Sequence, residues 1–150
     1  MINIEVNLHD PMETGALERA ARLALEHQAA PADAELTIVL TDDEQLRELN
    51  LDYREVDAPT DVLSFPAAEP DPETGALYLG DVIISVERAQ EQAAAGRHSL
   101  EAELQLLVVH GILHLVGHDH AEVDEKDRMW AAQSQILAQL GLSDLRIQDS

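Results

Sequence analysis

The sequence predicts an α+β fold: one compact domain in which a small mixed β-sheet carries several helices and a histidine-bearing helix lies buried against the sheet. Three observations support this. A chain of 150 residues suits a single hydrophobic core, and its 45% hydrophobic content falls into segments of regular period. Segments with strand patterning are interleaved with longer ones at helical spacing. The most apolar run, Leu104 to Val116, surrounds its histidines with leucine, valine and isoleucine, so the helix it forms has to be covered by other elements.

Taken in order, Ile2 to Leu8 alternates apolar and polar residues and begins as a strand, and Glu13 to Gln28 carries alanine and leucine at helical spacing. Leu36 to Thr41 is a second strand. Asp42 or Asp43 then caps a helix through about Leu51 by accepting hydrogen bonds from its free amides. Proline, acidic residues and glycine between Ala67 and Ala76 predict a loop, which leads into a strand from Leu77 to Ser85. Glu87 to Ala95 predicts a helix ended by Gly96, and Ser99 precedes the histidine helix, Glu101 to Val116. A last helix runs from about Asp124 to Leu140, stopped by Gly141, and the tail from 143 to 150 is expected to fray. Residues 1–150 show no internal repeat and no domain linker, and are expected to form one unit.

Four of the seven histidines fall within eleven residues, His110-Gly-Ile-Leu-His114-Leu-Val-Gly-His118-Asp-His120. On a helix that turns about 100° per residue, His110 and His114 point from one face, close enough to share an ion. Unpaired imidazoles in a buried helix are costly, and a metal satisfies both. His118 and His120 compete for the third place. A helix running on through Gly117 would spread three ligands along about 12 Å, too long a row for one ion. Gly117 instead allows the chain to leave the helix, so His120 is preferred, with His118 then lining the site or facing substrate. Three histidines leave a fourth position of a zinc tetrahedron open for water, as in catalytic sites. Asp119 reads as a turn residue first and as a partner to an imidazole second.

These residues resemble the signature of the YbeY family of bacterial zinc-dependent endoribonucleases, whose three metal-binding histidines match His110, His114 and His120. Two further blocks are similar in order and spacing: Tyr53-Arg54 with Pro59-Thr60-Asp61-Val62-Leu63-Ser64-Phe65-Pro66, and Leu79-Gly80-Asp81-Val82-Ile83-Ile84-Ser85. The resemblance spans about residues 35 to 140. It implies a metal-dependent endoribonuclease with one zinc ion (Zn2+), acting on single-stranded ribosomal RNA in 16S 3′ end maturation and in ribosome quality control. Ribosomal proteins or a ribosome-associated GTPase are the partners it implies, and DNA is not expected. It also makes Arg54 the catalytic arginine, holding the scissile phosphate and offsetting charge in the pentacovalent transition state while zinc polarises a phosphoryl oxygen or ionises its water. Thr60, Asp61 and Ser64 read as turn and strand residues, and Asp81 as ordering a strand start. The last helix departs from the family pattern at Gln133, where an acidic residue is usual.

Two other classes stay open. Zinc proteases carry HExxH, with the glutamate as general base, and Gly111 stands in that position here. Met129 packs under the site as a Met-turn does, or else belongs to the core. A non-catalytic alternative has zinc stabilising a ribosome-binding module.

The formal net charge of −21, from 9 basic and 30 acidic residues, opposes the basic footprint expected of a polyanion binder. A local basic cleft on an acidic body would reconcile the two, with Arg54, Arg88 and Arg97 as the candidate cations. Without cysteine, disulfides and thiolate ligands are excluded. No run approaches the length of a membrane span and the N-terminus lacks a basic, signal-like start, so a cytoplasmic location and no membrane partner are expected.

Overall fold

The computed structural model describes residues 2–118 and 123–142. His120 and Asp119, and the tail from 143 to 150, lie outside the described residues. Within the described residues nine elements succeed one another: β1 (Ile2–Val6), α1 (Gly15–His27), β2 (Glu35–Thr41), α2 (Asp43–Arg54), β3 (Val62–Pro70), β4 (Leu77–Ser85), α3 (Val86–Gly96), α4 (Leu100–Leu115) and α5 (Val123–Gln139). The strands form one mixed sheet in the order β1-β2-β4-β3. β1 and β4 each run parallel to β2, and β3 pairs antiparallel to β4 at an edge. The α+β sheet expected from the sequence is therefore present, with the histidine helix packed on it.

The sheet face that meets the helices is set by period-two alternation. Leu36, Ile38 and Leu40 of β2 and Val82 and Ile84 of β4 are fully buried and join one core with α1, α4 and α5. α4 is buried along most of its length, as suits an element covered by the sheet, α1, α3 and α5 together. Its first turn is fixed by Ser99, whose hydroxyl accepts from the Ala102 amide at 3.1 Å. α2 starts in the same way from Asp42, which accepts from the Gln45 amide at 2.9 Å.

The loop expected over Ala67–Ala76 is shorter than that. β3 continues to Pro70, pairing Glu69 with Tyr78 and Pro70 with Leu77 across an irregularity after Pro66. An edge strand needs only one of its sides for pairing, so prolines that would break a central strand are tolerated there. Gly80, opposite Pro66, has φ +134°, and a Cβ on it would lie 2.2 Å from the Phe65 carbonyl oxygen. Only glycine allows the two strands to approach this closely. α3 also ends one residue later than expected: Gly96 stays helical and Arg97 takes the left-handed position.

Among the described residues, Glu103 is the one buried acid, in contact with His98, whose Nε2 donates to Oε1 at 2.5 Å. Burial pushes its carboxyl above the ordinary value, and the hydrogen bond and charge of His98 only partly oppose this. A raised folded-state pKa means stability that is present below the unfolded value of 4.5 and is lost as pH rises through the folded value. Glu103→Gln keeps an acceptor for His98 without the buried charge. It is expected to raise Tm at neutral pH by a few degrees, since about 1 kcal/mol moves Tm by roughly 2–4 °C at this size. Calorimetry should find the gain vanishing in acid, and a pH-independent difference would show that the charge is not its source.

Candidate metal centre

α4 carries His110 and His114 on its last turns, and the way this helix ends sets the course of the chain beyond them. Gly117 (φ +104°) takes the left-handed position, with its amide donating to His114 O at 3.2 Å and the His118 amide to Leu113 O at 2.9 Å. This paired closure is a Schellman motif, which turns the chain off the helix axis as the glycine predicted. His118 therefore leaves the row of His110 and His114.

The two helical histidines come together. Their Nε2 atoms are 3.2 Å apart and their ring centroids 4.8 Å apart. Gln133 of α5, itself buried, accepts from His110 Nδ1 at 3.0 Å, so the proton sits on Nδ1 and the Nε2 lone pair faces His114. Two nitrogens bound to one tetrahedral zinc at about 2.0–2.1 Å are separated by about 3.3–3.4 Å. The observed pair comes within about 0.2 Å of this spacing, and the donor set suits a divalent transition ion. The described residues contain two of the three expected histidine ligands, and among them no group of three histidines or acids gathers.

Gly111 lies between the two histidines with its backbone against the sheet. A Cβ there would be 2.6 Å from Val82 Cγ1 and 3.3 Å from Ser64 Oγ, and the Ser64 hydroxyl donates to Gly111 O at 3.0 Å. The position that bears glutamate in zinc proteases thus has no room for a side chain. Met129 is 2% exposed and belongs to the core.

Arg54 closes α2 at an exposed turn, and among the described residues its guanidinium makes no hydrogen bond or ion pair. The pleat of β3 relates it to the histidines. Ser64 points to the α4 side, and Phe65 to the other, where the Tyr53 ring meets it edge-on at 5.0 Å between centroids. Tyr53, the neighbour of Arg54 in the chain, therefore packs on one face of the edge strand and the histidine helix on the other. The other expected cations behave differently. Arg88 is held by Asp43 at 3.3 Å beside the Ser85 cap of α3, and Arg97 forms the αL end of that helix. Arg88 is therefore neutralised locally.

His118 turns to α1. Its Nε2 lies 2.7 Å from Gln28 Oε1, Gln28 Nε2 lies 2.9 Å from His27 Nδ1, and His27 Nε2 lies 2.7 Å from Gln135 Oε1. Burial, ahead of the charge of Arg128, holds the His118 imidazole below its ordinary value and favours its neutral form. Gln28, His27 and Gln135 were not visible as site residues in the sequence, because nothing local to a glutamine indicates a partner 90 or 108 residues away.

Comparison with known proteins bears on the same residues. A family described as Endoribonuclease YbeY matches residues 3–141. A protein named Endoribonuclease YbeY from Heliobacterium modesticaldum is 46% identical over 136 residues, covering 84% of this chain and 82% of that protein. A protein of the same name from Roseiflexus sp. is 46% identical over 139 residues, covering 88% and 86%. The fold is similar to the solution structure of TM1509 from Thermotoga maritima, with a TM-score of 0.59 and 25% identity, covering 100% of this chain and 99% of that one.

Proposed function

The chain belongs to the endoribonuclease YbeY family, and on that premise we propose that it is a metal-dependent endoribonuclease that cleaves single-stranded RNA. Its substrate is ribosomal RNA, cut in 16S 3′ end maturation and in ribosome quality control, and residues 1–150 act as one catalytic domain. The observation that carries this is the imidazole pair, with Nε2 atoms 3.2 Å apart and one ring oriented by Gln133. His110 and His114, with His120 from the following segment, hold one zinc ion. When bound, that ion supplies Lewis acidity at a phosphoryl oxygen.

The protein's own residues do the rest. Gln133 keeps the proton of His110 on Nδ1, so that Nε2 remains a ligand. Arg54, unpaired among the described residues, offers a planar fork that binds a phosphate bidentately and offsets the charge that builds as the nucleophile adds. A single strand lying along the outer edge of β3 meets Arg54 from one flank and the histidines from the other. A duplex is stiffer and broader, which favours single-stranded substrate. Every described acid except Glu103 is at least partly solvated. Peptide hydrolysis is not favoured, since Val82 closes the space where the protease glutamate stands. Among the described residues no helix is long and apolar enough to cross a membrane.

The test is cleavage of a single-stranded RNA oligonucleotide and of the same strand in a duplex, by protein as purified, after chelation, and after zinc is restored. Single-strand cleavage that is lost on chelation and regained with zinc is expected. Metal content should also fall as pH is lowered through the imidazole range, because the ligands take up protons. Undiminished cleavage by fully chelated protein, or metal retention indifferent to that acidification, would count against the assignment.

A further inference from the structure

The chain of hydrogen bonds from His118 to α5 has a fixed direction. Gln28 Oε1 can only accept, so His118 Nε2 carries a proton and donates to it at 2.7 Å. Gln28 Nε2 can only donate, so His27 Nδ1 is unprotonated and accepts at 2.9 Å. The proton of a neutral His27 then sits on Nε2, which points to Gln135 Oε1 at 2.7 Å. Every member finds a partner of the right kind, with no donor facing a donor. Three elements distant in sequence are fastened together: the end of α1, the turn after α4, and the C-terminal part of α5.

The location of this relay gives it a consequence. His118 is two residues before His120, and α5 begins at Val123, three residues after it. The described residues on either side of the third histidine are thus held, His118 by Gln28 before it, and α5 after it by Gln135 to His27 and by Gln133 to His110. Metal affinity from a ligand on a turn depends on how much freedom that turn retains, since ordering it on binding costs conformational entropy. We propose that Gln28 and His27 are positioning residues: with His118 and Gln135 they form a neutral, directional relay that holds the exit turn of α4 so that His120 can complete the metal site. This rests on the three-histidine assignment above and adds a role to the C-terminal end of α1, which contributes no ligand. His118, on this account, anchors the site and does not touch substrate.

The test compares wild type with Gln28→Leu, which has similar volume and no hydrogen-bonding group, and with Gln28→Glu, which keeps an acceptor for His118. Zinc affinity is measured by competition with a chromophoric chelator, and the tautomers of His118 and His27 by nitrogen-15 NMR of the metal-free protein above the imidazole titration range. In wild type, His118 is expected as the Nε2–H tautomer. Gln28→Leu is expected to mix the His118 tautomers and weaken zinc binding about tenfold, at the lower end of the range for partners behind a ligand, with far-UV circular dichroism and metal-free Tm nearly unchanged. Gln28→Glu is expected to recover the His118 tautomer and most of the affinity. Wild-type zinc affinity in a folded Gln28→Leu overturns the relay and leaves the metal site standing. Wild type that binds no zinc overturns the site and the relay together. A loss of affinity accompanied by a large fall in metal-free Tm assigns Gln28 to general stability and overturns the positioning role.

Discussion

Arg54→Glu is expected to lower RNA cleavage by about 10²–10³-fold or more while zinc content stays at the wild-type level. On the role proposed for Arg54, the size reflects removal of a preorganised charge contact at the reacting group, and reversal of sign adds repulsion of the phosphate. The variant is informative because Arg54 is exposed and has no partner among the described residues, so no internal bond is broken. Reversing a charge at the C-terminal turn of α2 opposes the helix dipole, at a cost of about 0.3–1 kcal/mol, too little to unfold the domain. Arg54→Lys should fall between the two, keeping the charge and losing the fork. His114→Ala is the complement: it removes one of two nitrogens 3.2 Å apart, and is expected to abolish both zinc binding and cleavage. Equal metal content in wild type and His114→Ala would sink the site. Cleavage untouched by Arg54→Glu, with His114→Ala melting the protein, would instead identify a zinc-stabilised binding module.

Gly111→Glu restores the zinc-protease pattern on paper, and is expected to give a protein that does not fold, and no peptidase. Its Cβ would sit 2.6 Å from Val82 Cγ1 and 3.2 Å from Cγ2, on a β-branched side chain held in the sheet that cannot swing aside. Overpacking of this kind costs about 1–3 kcal/mol. A carboxylate buried there without a partner adds about 3–5 kcal/mol, and the sum is comparable with the whole stability of a domain. Gly111→Ala separates the two terms. It carries only the steric cost, partly offset by about 1 kcal/mol of helix propensity, so it should fold with a lower Tm and retain zinc. A soluble Gly111→Glu with wild-type Tm would show that α4 can lift from β4, and would reopen the protease alternative.

These expectations differ in how far the sequence alone supports them. The pairing of His110 with His114 comes from a spacing of four, because helix geometry places such residues on one face whatever surrounds them. Departure of the chain at Gly117 was equally legible, since the left-handed closure needs a glycine at that point. The extent of β3 was not. Pro66 and Pro70 read as loop residues, and only the place of β3 at the edge of the sheet makes them compatible with a strand. Arg97 in place of Gly96 as the left-handed residue is a similar shift, with helix packing moving a terminus by one position.

Local sequence, then, decides what a few turns of backbone decide: which histidines share a face, where their helix begins and ends, and that an apolar helix must be covered. Tertiary structure decides what depends on partners far along the chain. Gln133 orients His110 across 23 residues, His118 reaches Gln28 across 90, and Gly111 is glycine because Val82 of a distant strand occupies the space beside it. The physical reason is the reach of each interaction. Helical periodicity and capping act within about four residues, whereas side-chain hydrogen bonds and van der Waals contact depend only on distance in space, which the folded chain alone defines.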